Sequence, residues 1–132
     1  MKKEIEEFLK ATAFGVVGAS ADRNKYGNRV LRCYQQHGLR AIPVNPVKAE
    51  IEGVTCVASV ADLPAEVTSI SMITPPMITA QVVVQAAASG IKNIWMQPGA
   101  ESPQAIALCR EHGINVIGDG SCILVVLGYH DH

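Results

Sequence analysis

Charge is sparse in this 132-residue chain: 17% of residues are Asp, Glu, Lys or Arg, with 11 basic against 12 acidic and a net charge of −1. A general attraction for nucleic acid or an anionic membrane surface is therefore not expected, and any anion binding must come from local placement. Long apolar runs are missing as well. A stretch such as Cys122 to Leu127 falls far below the roughly 20 residues that a membrane-spanning helix requires. The start, Met1-Lys2-Lys3-Glu4-Ile5-Glu6-Glu7, has no apolar signal-peptide core behind it, so export is not expected and a cytoplasmic location is. The four cysteines, Cys33, Cys56, Cys109 and Cys122, show no C-x-x-C spacing. Their apolar neighbours suggest reduced, buried thiols rather than a metal or disulfide role.

Several catalytic signatures are absent too. There is no G-x-S-x-G turn, no Ser-His-Asp order and no paired carboxylates in an apolar setting, so no catalytic residue is assigned and the chain is not expected to be an enzyme. The dinucleotide fingerprint G-x-G-x-x-G is missing, and no Asp or Glu stands where NAD would need one for its ribose.

What is present is a repeated joint. His37-Gly38-Leu39-Arg40-Ala41-Ile42, Ser89-Gly90-Ile91-Lys92-Asn93-Ile94 and His112-Gly113-Ile114-Asn115-Val116-Ile117 share a polar residue, Gly, a branched apolar residue, two variable positions and Ile. Gly tolerates the left-handed conformation that ends a helix, and the next apolar residue packs back on the last turn. Three helix-Gly-strand joints argue for alternating βα units and a parallel sheet. Helix starts are marked by Thr74-Pro75-Pro76 and Ser102-Pro103, because Pro lacks an N–H that the first turn leaves unpaired. His37 and His112 then read as helix-end residues favoured by the dipole.

These marks predict helices at about 2–11, 27–37, 76–89 and 103–112, with a helical turn at 60–63. Strands are expected at 13–17, 40–44, 54–57, 69–73, 93–96 and 115–118. The expected fold is one α/β domain over 1–132: a Rossmann-like, doubly wound parallel sheet of five or six strands in three layers, most simply in the order 3-2-1-4-5-6. Residues 129–132 read as a frayed tail. A metal site in its His130-Asp131-His132 run is not expected, since two histidines at a loose end rarely suffice.

In such a sheet the ligand crevice lies at the C-terminal ends of the strands, where the winding reverses. The loop after the first strand, Gly18 to Gly27, combines small residues with Arg23, Lys25 and, one turn on, Arg29. Its glycines let the backbone approach a ligand, and the next helix aims its N–H groups and positive dipole end at the same place. That combination suits phosphate, with Ser20 as a hydrogen-bonding partner. After the second strand come Val44-Asn45-Pro46-Val47-Lys48. An amide and a lysine suit a ribose that carries a phosphate, as in coenzyme A or NADP, while a plain turn and a solvated lysine are the simpler alternatives. Cys122 reads as a buried inert thiol, or else as a neighbour of a ligand thiol. Trp95 reads as core, or else as a surface for adenine.

Gly18-Ala19-Ser20 with Tyr26-Gly27, Pro43-Val44-Asn45-Pro46, Ile51-x-Gly53, Leu63-Pro64, Pro75-Pro76, Gly90-Ile91-Lys92-x-x-Trp95-x-Gln97-x-Gly99 and Cys122 occur in this order. Together they resemble the small stand-alone CoA-binding proteins, a family similar to the N-terminal domain of the succinyl-CoA synthetase α subunit. The resemblance runs from Thr12 to Cys122. It implies that Gly18, Ala19, Ser20, Ala21, Asp22 and Arg23 wrap the CoA phosphates and that Lys48 matches a lysine of the synthetase. It further implies that Thr74, Pro75 and Pro76 line the adenosine or pantetheine path, and that Met96, Gln97 and Pro98 form another contact segment. Ser121 stands where the family usually has Arg, and Ile123 to Val126 where an acidic residue is common. The resemblance implies no phosphohistidine in this chain, since the synthetase carries its own in another domain.

The expectation is thus a non-catalytic binder of CoA or acyl-CoA, with Gly18, Ala19, Ser20, Arg23, Lys25, Tyr26, Gly27, Asn45, Pro46, Lys48, Thr74, Pro75, Pro76 and Gln97 at the site. Its partner would be a small nucleotide ligand, with no nucleic acid and no membrane, and a homodimer or another protein partner stays open. The alternatives are an NADP-dependent redox enzyme or sensor, and an interaction subunit that uses the apolar 122–127 segment for dimerisation.

Overall fold

The computed structural model describes residues 2–131. Helix α1 (Lys3–Leu9) leads into strand β1 (Ala13–Val17), helix α2 (Tyr26–Gln36) and strand β2 (Ala41–Val44). Two short strands follow, β3 (Glu50–Ile51) and β4 (Val54–Thr55), and then a 3-10 turn over Val60–Asp62. The second half alternates regularly: β5 (Val67–Met72), α3 (Pro76–Ala88), β6 (Asn93–Met96), α4 (Pro103–Glu111), β7 (Asn115–Ile117) and the short α5 (Ile123–Leu127).

The three repeated joints end their helices as their glycines require. Gly38, Gly90 and Gly113 adopt φ of 68°, 82° and 71°. In each case the next residue closes the same backbone bond across the last turn: Leu39 to the Tyr34 carbonyl at 3.0 Å, Ile91 to Ala86 at 3.1 Å and Ile114 to Cys109 at 2.8 Å. This is the hydrogen bond of a Schellman cap, and it turns the chain directly into the next strand or its approach.

The main sheet has five parallel strands in the order β2-β1-β5-β6-β7. β1, β2 and β6 are buried along their whole length, as strands covered on both faces must be. Phe14 and Val16 pack with α1 and α2 residues such as Phe8, Val30 and Tyr34. Ala13, Val17 and Ile70 pack on the other side with Val83 of α3 and Cys109 of α4. The scarce aromatics are concentrated in the first layer. Trp95 meets Phe8 edge-on at 5.3 Å, and Phe14 stacks on Tyr34 at 4.9 Å. Trp95 is fully buried and its Nε1 donates to the Ser121 carbonyl, so it belongs to the core. No helix among the described residues is long and apolar enough to cross a membrane.

Two expectations need correction. The segment 54–57 is not a third strand at the edge of the sheet. Its first half pairs antiparallel with β3, and only Val57 makes a parallel bridge, to Val44. Nine residues separate β2 from β4, too few for a parallel crossover of a dozen or more; they form a hairpin instead. Residues 129–131 are not frayed. Gln36 Nε2 donates to the His130 carbonyl at 2.6 Å, the His130 N–H returns a bond to Gln36 Oε1, and a His37 ring nitrogen meets the Gly128 carbonyl. His132 lies outside the described residues. Residues 123–127, to which the sequence assigned no element, form α5, whose Ile123 is buried against α2's layer; an unbroken apolar run has no periodicity to reveal a helix.

Candidate functional site

The chain leaves β1, runs outward to β2, and returns to the opposite side of β1 as β5. The winding reverses between β1 and β5, so their C-terminal ends open a crevice. A cleft of about 910 Å³ lies there.

Its floor is the Gly18–Lys25 loop. Gly18 adopts φ 91°, and a methyl group added to it would lie 2.1 Å from the Ile73 carbonyl oxygen. A methyl group on Gly27 would lie 2.0 Å from the Gly18 carbonyl oxygen. The first turn of α2 therefore rests directly on the start of the loop, a contact only glycine permits. Lys25 precedes the helix and supplies no side-chain cap, and the first N–H groups of a helix have no partner within it. A loop and a helix N-terminus presented together in this way form a cradle for an anion.

Short-range bonds shape the loop from within. Ser20 Oγ accepts from the Asp22 N–H at 3.1 Å, and Asp22 Oδ1 accepts from the Asn24 N–H at 2.9 Å. Accepting leaves the Ser20 hydroxyl its proton to donate. Asn45 braces the loop from β2: its Nδ2 donates to the Ala19 carbonyl at 3.0 Å, while its Oδ1 accepts from the Val47 and Lys48 N–H groups. The turn reading and the site reading of Asn45 thus describe one side chain with two roles.

Of the expected site residues, Gly18, Ala19, Ser20, Lys25, Tyr26, Gly27, Asn45, Pro46 and Thr74 line the cleft. Gln97 lines an adjoining cavity of about 320 Å³ with Pro98 and Cys122, and Tyr26 and Ile73 border both spaces. Gln97 Nε2 donates to Cys122 Sγ at 3.3 Å and its Oε1 accepts from the Ile123 N–H. Four expected residues stand off the lining. Arg23 is drawn to Glu52, with Nη2–Oε1 at 2.7 Å and Nε–Oε2 at 3.1 Å. Lys48 follows the turn that Asn45 caps and lies outside the wall. Pro75 and Pro76 are the exposed cap and first residue of α3 and serve to start that helix.

Sequence reasoning missed the far wall, built by Ala58, Ser59 and Val60 on one side and Ile78, Val82 and Gln85 of α3 on the other. The spacing 78, 82, 85 marks one helical face, but α3 is apolar on nearly every side and conceals the phase. It also missed Asn28, which is fully buried. Asn28 Nδ2 donates to the Ser20 carbonyl at 2.9 Å and to Glu52 Oε2 at 3.0 Å, and its Oδ1 accepts from Arg32 Nε. Arg23 and Asn28 together hold the Glu52 carboxyl below its usual range. Arg29 lies over the Tyr26 ring at 5.5 Å, and its buried Nε has no hydrogen-bond partner among the described residues. Burial pushes the Cys33 and Cys109 thiols up to about 11, as expected of inert core thiols. Among the described residues no group of three or more His, Cys, Asp or Glu could hold a metal.

A doubly wound α/β domain with a glycine-built loop at its switch point belongs to the Rossmann-like folds. Within that class, the CoA binding domain family matches residues 12–128, and the chain belongs to it. A conserved hypothetical protein from Pyrococcus furiosus has a solved structure that is 38% identical, with a TM-score of 0.82, covering 88% of this chain and 98% of that one. The α subunit of the ADP-forming acetate–CoA ligase II of Pyrococcus furiosus is 23% identical over 125 residues; the match covers 86% of this chain but only 27% of that subunit. An uncharacterized Bacillus subtilis protein, YneT, is 28% identical and matched over 94% of this chain and 92% of its own length.

Proposed function

We propose that this protein binds coenzyme A or an acyl-CoA in the cleft between β1 and β5 and does so without catalysing a reaction on it. The observation that carries this reading is the cradle formed by the Gly18–Gly27 loop and the start of α2 in a chain of the CoA binding domain family. The lining supports binding chemistry: backbone groups, the Ser20 and Thr74 hydroxyls, the Asn24 and Asn45 amides and the Lys25 ammonium, opposite the apolar Val60, Ile78 and Val82. Anionic phosphates suit the first set and a base or pantetheine arm the second. The adjoining cavity beside Gln97 and Cys122 gives a long ligand room for its far end.

Thermal unfolding with added nucleotides tests this. At a hundredfold excess over Kd, CoA is expected to stabilise the fold by about 2.7 kcal/mol, with little effect from NAD or NADP. Lys25→Glu is expected to reduce the CoA shift strongly. Equal shifts with CoA and NADP, or none with CoA, reject the proposal.

A further inference from the structure

Glu52 stands at the tip of the β3–β4 hairpin with φ 49°, the left-handed region, followed by Gly53 at 78°. Tight hairpins of this kind favour Asn, Asp or Gly at that position. A residue with a longer side chain persists there only where its surroundings hold it. Here they do. Its side chain is 15% exposed, Arg23 grips the carboxylate with two nitrogens, and Asn28 donates a third bond. Gln35 Nε2 also donates to the Glu52 carbonyl at 3.1 Å.

The Arg23 partner is 61% exposed, so the ion pair by itself does little for stability. What the cluster does do is reach the ligand loop at two places. It anchors Arg23 from outside. Through Asn28 it also holds the Ser20 carbonyl. In a trans peptide the N–H that follows a carbonyl points the opposite way, so a fixed Ser20 carbonyl fixes the Ala21 N–H as a ready donor. We propose that Glu52 is a positioning residue that pre-orders the phosphate-binding loop from the neighbouring hairpin. This rests on the CoA reading above and assigns a role to the one open position of the Ile51-x-Gly53 motif.

The sign of its effect separates positioning from charge. A carboxylate beside an anion site repels the anion, so a purely electrostatic Glu52 would, once neutralised, let CoA bind more tightly. Positioning requires the reverse. Calorimetric titration of the full chain with CoA is expected to show about tenfold weaker binding for Glu52→Gln and Glu52→Gly, about 1.4 kcal/mol. Glu52→Gly relieves the backbone and is expected to unfold at a urea concentration no lower than that of Glu52→Gln. Arg23→Gln should weaken binding to a similar degree, and the Arg23→Gln/Glu52→Gln double variant no further. Without ligand, amide hydrogen exchange over residues 19–25 should speed up in Glu52→Gly. Unchanged or tighter CoA affinity in both Glu52 variants overturns the proposal, as do fully additive losses or unchanged loop exchange. If the unaltered chain binds no CoA, the coenzyme reading falls instead, and the exchange rates alone decide whether Glu52 orders the loop.

Discussion

Gly27 and Gly38 show how differently one residue type can be required. At Gly27 the constraint is contact, since an added methyl would meet the Gly18 carbonyl oxygen at 2.0 Å. At Gly38 it is conformation: φ is 68° and nothing lies within 4 Å. Gly27→Ala must therefore push the helix start away from the loop, and is expected to cost about 1–3 kcal/mol in urea unfolding and most of the CoA affinity. Gly38→Ala should cost about 1–2 kcal/mol of left-handed strain and leave CoA affinity unchanged by calorimetry. Comparable binding losses from both would mean that the loop contact is irrelevant to the ligand. Arg23, by contrast, shows a limit at this scale. Its place in the loop made it a phosphate contact, but its partner lies 29 positions away on a hairpin tip, beyond the reach of local spacing.

Elements were legible where their ends carry chemistry. Every expected helix, and every strand that joins the main sheet, appears with its ends within two residues of the observed ones, because Gly joints and Pro starts act locally, although Thr74 does not cap α3 as expected and its hydroxyl meets that of Thr79 instead. Ser102 is one such signal: its Oγ accepts from the Ala105 N–H at 3.0 Å and caps α4. Ser102→Ala is expected to lower stability by about 1 kcal/mol, with faster amide exchange in the first turn of α4 as its mark. Loss of stability without that local exchange would place the effect elsewhere. The hairpin was misread and α5 was not anticipated, for opposite reasons. The hairpin follows from a chain too short for a crossover, a count available from sequence. α5 offers no periodicity, since all five residues from Ile123 to Leu127 are apolar.

Across the molecule, ion pairs join segments distant in sequence, and being partly exposed they add a modest response to acid. The Lys2 ammonium beside Asp119 holds that carboxyl well below the usual range, and Arg23 and Asn28 lower that of Glu52. A carboxyl lowered in the folded state contributes stability above its unfolded value and loses it as pH falls through the folded one. Urea unfolding is therefore expected to give flat stability between about pH 5 and 8 and a progressive loss below the ordinary carboxylate range. At the alkaline end the raised Cys33 and Cys109 thiols act in the other direction. The folded state keeps their protons, and stability falls as pH rises from their ordinary value of 9.0 towards about 11. A stability optimum below pH 4 would contradict these assignments.

The order and type of the main-sheet strands and the four longer helices, the parallel winding and the location of the crevice beside Gly18 were determined by sequence alone. They depend on caps, glycines and periodicities that operate over a few residues. Tertiary structure decided which side chains reach the crevice: it turned Arg23 to Glu52, brought Ile78, Val82 and Gln85 to the far wall, and bound the C-terminal tail to α2. Those outcomes depend on partners brought together only by the packing of the sheet and its helices, and a linear pattern does not encode that distance.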